Sequence, residues 1–329
     1  MNSARPRSAR PTPGAAGMRV GAELAQVERR LSELLTSREP RLAEIAKYLV
    51  ASGGKRVRPA VAVLVFRACG GDDLSEIVDA AVALELIHSA TLLHDDIIDG
   101  SEVRRGNDSA LRKYGLGDTL VTGDFLFCRA FQLCARFEEQ VIGWAAEACV
   151  SLTEGEILQA RFRHNPAVTL DDYMEIITRK TASLFQQGAR TGAHLARADA
   201  AIVESMRRCG FSVGLAFQMV DDLLDVTGTE ERLGKPVAID LRDGNPSLPV
   251  VLAMRDDLEL RRLFEKPEPS AADVSAAVTR IQRSGVLDQV RALACQHVEQ
   301  ARTAMTALPP SGYKDDLLDL IDQLVERVS

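Results

Sequence analysis

The sequence predicts an all-helical bundle, on two observations. From Gly21 onward apolar residues recur at spacings of three and four, as in Leu24, Val27, Leu31, Leu34 and Leu35, and again in Val203, Met206, Cys209, Val213 and Ala216. That is the period of a helix with one buried face. Alternation of apolar and polar residues is nowhere sustained over five or more positions, so no half-buried strand is expected. Roughly ten to thirteen helices account for the chain, in a bundle whose ligand and metal sites would form among facing helices.

The elements follow in order. Residues 1–20, MNSARPRSARPTPGAAGMRV, are rich in Pro, Arg, Ser and Ala and contain no acid. This composition predicts a disordered tail, with Met18 as a second candidate start. Gly53-Gly54 ends the helix that carries Tyr48 and Leu49, and Gly70-Gly71 ends the next. Long segments follow at about 74–99, 117–136, 139–163, 170–195 and 199–227. Asn165-Pro166 separates two of them, and Thr169 with Asp172 reads as a helix N-cap. No linker, composition shift or internal repeat divides residues 21–329, which therefore read as one domain.

Composition narrows the function. With 329 residues, 46% of them apolar, the chain is long enough for a core of several layers. A net charge of −7 and a pI near 5.4 argue against a reader of nucleic-acid backbones. The six cysteines, at 69, 128, 134, 149, 209 and 295, show neither CxxC nor zinc spacing and read as reduced core thiols of a cytoplasmic protein. No apolar run of membrane-spanning length and no signal-peptide core is present, so stable membrane insertion is not expected.

The chemistry starts at Leu92-Leu93-His94-Asp95-Asp96-Ile97-Ile98-Asp99. Asp95 and Asp99 share a helical face and Asp96 lies a short rotation away, so three carboxylates crowd the end of an apolar segment. Desolvating them unpaired is costly, whereas a hard divalent cation with oxygen ligands would offset that cost. Mg²⁺ held by a few carboxylates keeps positions for phosphate oxygens, which points to a phosphorylated substrate. The pattern recurs at Asp221-Asp222-Leu223-Leu224-Asp225, after Phe217-Gln218-Met219-Val220, and letter for letter at residues 315–319. In the last copy Leu317, Leu318, Ile321, Leu324 and Val325 form one stripe and leave Asp315, Asp319 and Asp322 on the solvent side, so that copy reads as ordinary surface. Two inward-facing clusters imply one shared polyvalent site.

Other stretches are ambiguous from their residues alone. Gly53-Gly54-Lys55-Arg56-Val57-Arg58-Pro59 combines a turn, three cations and a helix start that suit diphosphate oxygens, and a solvated basic turn explains it equally well. Arg104 and Arg105 follow the first acidic helix, where a C-terminal cap accounts for one arginine more easily than two. His88 lies seven residues before Asp95 on the same face. Lys180, beside Thr181, and Lys235, in Gly234-Lys235-Pro236, are weak signals singly, and Gln218 could bond a neighbour or face a cation. No P-loop, GxGxxG, HExxH or Ser/His/Asp pattern occurs.

Taken together, GGKRVRP, LLHDDIID followed by RRG, GDFLF, KTASLF, FQMVDDLLD and GKP, in this order, resemble the all-trans polyprenyl diphosphate synthases over about residues 22–328. The resemblance implies an isoprenoid synthase fold with a central cavity, Mg²⁺ dependence with three ions around bound substrate, and a homodimer. It implies head-to-tail condensation of an allylic diphosphate with isopentenyl diphosphate. By motif match, Asp95, Asp96, Asp99, Asp221, Asp222 and Asp225 would hold the metals, and Arg104, Lys180 and Lys235 would contact the allylic diphosphate. Gly54, Lys55, Arg58, His88 and Arg105 would bind isopentenyl diphosphate, and Thr181 and Gln218 would steady the allylic cation. Short-chain members are similar in carrying bulky aromatics four or five residues before the first Asp, where this chain has Thr91 and Ala90. With Ile87 a turn deeper, this implies a medium-to-long product. The alternatives are a farnesyl or geranylgeranyl synthase, a terpene cyclase, or one subunit of a heteromeric synthase.

Overall fold

The computed structural model describes residues 18–51, 53–228 and 238–326. The helices, in order, are α1 (Gly21–Leu34), α2 (Pro40–Ala51), α3 (Val57–Ala68), α4 (Leu74–Ile98), α5 (Ala110–Tyr114), α6 (Leu116–Cys134), α7 (Glu139–Arg161), α8 (Leu170–Ile177), α9 (Ser183–Leu195), α10 (Ala200–Thr227), α11 (Ile239–Asp243), α12 (Leu248–Ala253), α13 (Leu258–Phe264), α14 (Ala271–Arg283), α15 (Val286–Met305) and α16 (Gly312–Glu326). A π turn, Thr178–Ala182, joins α8 to α9, so the described residues form fifteen helices when 170–195 is counted as one interrupted run. The expectation of ten to thirteen missed short helices, among them α5, α11, α12 and α13. The long segments lie within two residues of the boundaries expected from sequence.

Local chemistry explains where the helices start. The Asp73 carboxylate accepts from Ser75 N–H at the head of α4 (2.9 Å), and Thr169 with Asp172 forms a capping box on α8. α4 is apolar nearly all round and buried along most of its length, the pattern of a helix enclosed by others. Among the described residues it is the one helix long and apolar enough to cross a membrane, and 78% of the relevant stretch is buried inside the bundle.

Two apolar clusters form the interior. The larger gathers α1 to α4, α6, α7 and α9, and the smaller lies among α8, α12, α14 and α15. α10 belongs to both, giving Met206, Cys209, Val213 and Ala216 to the first and Met219, Val220, Leu223 and Val226 to the second. It therefore ties the two halves together.

Several expectations need correction. Residues 1–17 lie outside the described set, but Arg19, grouped with the tail from sequence, is docked: its backbone N–H donates to Asp316 Oδ2 (2.6 Å) and Val20 is fully buried. All six cysteines are free, yet Cys128 and Cys295 are exposed rather than in the core. The Arg104-Arg105-Gly106 stretch is not a helix cap. It forms a two-residue hairpin in which β1 (Val103–Arg104) pairs antiparallel with β2 (Asn107–Asp108), with Arg105 and Gly106 both at positive φ in the turn. That is the twist of a type I′ turn.

Candidate active site

The first acidic cluster ends α4, and each of its carboxylates has a resident cation. Arg104 Nε donates to Asp96 Oδ1 at 2.6 Å, Lys180 Nζ lies 3.9 Å from Asp95 Oδ2, and Arg163 donates to Asp99. Lys180 is also paired with Glu156 at 2.5 Å. Burial raises the Asp95 carboxyl well above the ordinary carboxylate range, against the pull of Lys180, and does the same more mildly for Asp96 against Arg104. Burial alone would lower the Lys180 ammonium, but Asp95 and Glu156 outweigh it and its pKa is raised. Asp96 is completely buried, and its Oδ2 has no hydrogen-bond partner among the described residues.

The second cluster sits on α10 and its members differ in environment. Asp222 is saturated: Tyr173 O–H and Leu248 N–H donate to Oδ2 (2.7 and 2.9 Å), and Gln218 Nε2 donates to Oδ1 (2.8 Å). Burial raises its carboxyl despite those donors, and burial followed by Asp222 pushes the Tyr173 hydroxyl far up. Asp225 accepts from the backbone N–H groups of Ile239 and Asp240 at the head of α11 (3.2 Å each). Asp221 makes no hydrogen bond or ion pair among the described residues and contributes electrostatically to Arg58.

The π turn brings the two clusters together. Lys180 points to Asp95, and its neighbour Thr181 donates to Gln218 Oε1 at 2.8 Å, continuing through Gln218 to Asp222. π turns often mark functional sites because they re-aim side chains within a helix. This one is pressed directly against α7: a Cβ on Gly155 would sit 2.7 Å from the Lys180 backbone nitrogen, so only glycine fits. In the GDFLF stretch, Gly123 likewise leaves the space that the His94 ring fills.

A separate basic pocket lies where α3, α4 and the hairpin meet. Arg105, at the hairpin tip with φ 52°, lies over Gly54, whose added Cβ would be 3.3 Å from Arg105 Nη1. Arg58 stacks on Phe185 and Phe217, its guanidinium carbon 4.8 and 5.8 Å from the ring centres. Burial brings its pKa down to about 10, which leaves it charged at neutral pH, and its Nε has no hydrogen-bond partner among the described residues. Burial, then the surrounding arginines beginning with Arg58, lowers His88 well below its usual value, so the imidazole is neutral. Arg56, also in left-handed backbone, turns away to Glu28 and Glu85 (2.5 Å each) and anchors the loop. Lys55 is exposed at the rim.

The structure thus brings together Asp95, Asp96, Asp99, Arg104, Lys180, Thr181, Gln218, Asp221 and Asp222, and places Gly54, Arg58, His88 and Arg105 beside them. Lys235 lies outside the described residues. Of the chain-length positions, Ile87 lines a small apolar cavity below the site together with Leu84, Leu184 and Ala148, whereas Ala90 and Thr91 do not, and the Thr91 hydroxyl donates to His88 O at 2.8 Å. Sequence reading missed Arg163, Glu156, Tyr173 and Glu85.

The donor set fits a hard divalent cation: carboxylate oxygens in a desolvated cleft, one of them buried without a partner, beside acids whose pKa values are raised by burial. Among the described residues Asp221 has no partner and Asp96 keeps one unpartnered oxygen, Asp95 and Asp99 are paired with Lys180 and Arg163, and Asp222 and Asp225 accept from protein donors.

A family model described as polyprenyl synthetase matches residues 39–281, more than half of the chain. The chain is 34% identical over 310 residues to a geranylgeranyl diphosphate synthase of Methanosarcina mazei, covering 92% of this chain and 95% of that protein. It is 32% identical over 314 residues to an all-trans-nonaprenyl-diphosphate synthase (geranyl-diphosphate specific) of Rhodobacter capsulatus, covering 94% and 96%. A solved polyprenyl synthase from Caulobacter crescentus CB15, complexed with calcium and isoprenyl diphosphate, matches with a TM-score of 0.90 at 36% identity over 94% of this chain and 96% of that one.

Proposed function

Because this chain belongs to the polyprenyl synthetase family, we propose that it elongates an allylic diphosphate by head-to-tail condensation with isopentenyl diphosphate, releasing diphosphate. The observation that carries this is the pairing of an acidic cleft, built from two carboxylate clusters on either side of one π turn, with a separate basic pocket. One diphosphate needs cations bridging it to acids, and the other binds arginines directly.

In this reading Asp95, Asp99 and Asp221 would hold Mg²⁺, which would supply charge neutralisation for the departing diphosphate. Arg104 and Lys180 add donors to the same leaving group, and Lys180 is kept charged there by Asp95 and Glu156. Gly54, Lys55, Arg58, neutral His88 and Arg105 receive isopentenyl diphosphate. The allylic C–O bond breaks with its electron pair leaving on oxygen, the isopentenyl double bond attacks the allylic carbon, and a proton passes from the resulting cation to the released diphosphate. Gln218 keeps its amide oxygen toward Thr181 because its NH₂ is tied to Asp222. Asp96, whose Oδ2 is unpartnered, would complete the Mg²⁺-holding set, while Asp222 and Asp225, tied to protein donors, position the site.

The growing tail descends from Asp95 between α4 and α9 into the cavity at Ile87 and Leu184. At about 30 Å³ this cavity is smaller than a prenyl tail, so Leu84, Ile87 and Leu184 give way as the chain lengthens. The small residues Thr91 and Ala90, on α4 between Asp95 and this cavity, favour a medium-to-long product over a short one. The enzyme acts as a homodimer: of nine large apolar side chains exposed among the described residues, six (Leu116, Leu120, Val121, Phe131, Val150 and Ile157) lie on α6 and α7. Free cysteines suit a cytoplasmic location.

The test is incubation with Mg²⁺, labelled isopentenyl diphosphate and, separately, dimethylallyl, geranyl, farnesyl and geranylgeranyl diphosphates, followed by sizing of the dephosphorylated products. A ladder ending at one long prenyl alcohol is expected. Absence of incorporation with every primer would sink the reading.

A further inference from the structure

The two arginines of the hairpin are held in different ways. Arg104 is fixed through its side chain, which donates to Asp96 at 2.6 Å. The Arg105 guanidinium makes no hydrogen bond or ion pair among the described residues, and burial and the neighbouring Arg104 both disfavour its charge. It lies over Gly54 because the backbone puts it there, at the hairpin tip with φ 52°. The placing of the hairpin therefore decides where this charge stands.

Contacts of two kinds place it. At its base, Ser109 N–H donates to Glu102 O (2.8 Å) and Ser109 O–H to Ser101 O (2.5 Å), which closes the two ends of the hairpin on each other without reaching the opposite wall of the pocket. Along its second strand, Tyr48 O–H on α2 donates to Asp108 O in β2 at 2.8 Å. α2 ends at Ala51, three residues before Gly54, so Tyr48 links the stretch of chain that supplies one wall to the hairpin that supplies the other. Its ring is held in turn: Tyr114 meets it edge-on with ring centres 5.4 Å apart, and Lys113 Nζ stands 3.7 Å from its centre.

We propose that Tyr48 is a positioning residue for the basic pocket, its hydroxyl fixing the hairpin against α2 and so holding Arg105 over Gly54 to receive isopentenyl diphosphate. The proposal rests on the elongation reading above. Arg58 and His88 stand on α3 and α4, and Arg104 stays tied to Asp96, so of the arginines only Arg105 depends on where the hairpin backbone lies. Loss of the hydroxyl is therefore selective for one of the two diphosphates.

The experiment measures initial rates against each substrate in Tyr48→Phe, which keeps the ring between Tyr114 and Lys113 and removes one donor. KM for isopentenyl diphosphate is expected to rise about fivefold, the worth of one neutral hydrogen bond, with KM for the allylic primer and kcat within about twofold of wild type. In an Arg105→Gln background the same change is expected to add nothing, because the group it positions is gone. A rise in both KM values, a fall in kcat alone, no change at all, or an equal effect with and without Arg105 would overturn the positioning role. Calorimetric titration of inorganic diphosphate without Mg²⁺ gives a reading that needs no turnover, since arginines bind it directly. Binding about fivefold weaker in Tyr48→Phe is expected, and equal binding would overturn the role of Tyr48. Should wild type incorporate no label, elongation fails by itself, and this titration still decides whether Tyr48 positions the pocket.

Discussion

Asp221 and Asp222 are adjacent on α10, yet one is open to the cleft and the other is held by three donors. Asp221→Ala is expected to lower kcat by at least about a hundredfold with the melting temperature little changed, since only charge stabilisation in the transition state is removed. Asp222→Asn is expected to cost roughly 1–3 kcal/mol of stability, because charge-assisted hydrogen bonds from Tyr173, Leu248 and Gln218 weaken together. Parallel thermal melts and steady-state kinetics separate the two. His88 gives a pH signature. Its folded pKa lies below the unfolded value of 6.5, so below that pH the unfolded chain takes the proton first. Stability is then full above about pH 6.5 and falls as pH drops, with a slope of at most about 1.4 kcal/mol per pH unit from this residue. In His88→Gln, the melting temperature is expected to fall less steeply between pH 7 and 5. The carboxylates were legible in the sequence because they break an apolar pattern. Arg163 and Glu85 were not, because their partners are distant: Asp99 is 64 residues from Arg163, and Glu85 is 29 from Arg56.

At the level of elements, the period-3.6 pattern was enough to locate α4, α6, α7 and α10, whose length repeats the signal over many turns. α5, α11, α12 and α13 have only five to seven residues each, too short for the period to emerge. The π turn was invisible for a different reason. It reflects how closely α7 approaches, which depends on Gly155 and not on the turn's own residues. Gly155→Ala forces that turn outward, with overpacking of about 1–3 kcal/mol. The expected result is a loss of kcat larger than the loss of stability explains, since Lys180 and Thr181 would both be re-aimed. Kinetics at a temperature well below the melting point of the variant would check it.

Among the described residues two apolar clusters are joined by two long helices, α10 and α15, and the two acidic clusters of the candidate site meet beside α10. The all-helical class was readable from periodicity, but the junction was not, because no break in the sequence separates the clusters. The α6–α7 surface predicts the assembly state. Val121→Asp combined with Val150→Asp is expected to convert a dimer to a monomer in sizing by light scattering, each charge being placed where apolar surface would otherwise be covered. The three resident cations of the acidic cleft carry a further implication, about order of arrival. A bare divalent ion at Asp99 must displace Arg163 and leave that guanidinium without a carboxylate, Lys180 alone keeping Glu156, while a bare diphosphate meets Asp95 and Asp99 head-on. Only when ion and diphosphate come together can every charge change partners without one being left over. The cleft should therefore behave as a lock with two keys: calorimetric titration is expected to show weak binding of Mg²⁺ alone, weak binding of an allylic diphosphate analogue alone, and far tighter binding of the two combined.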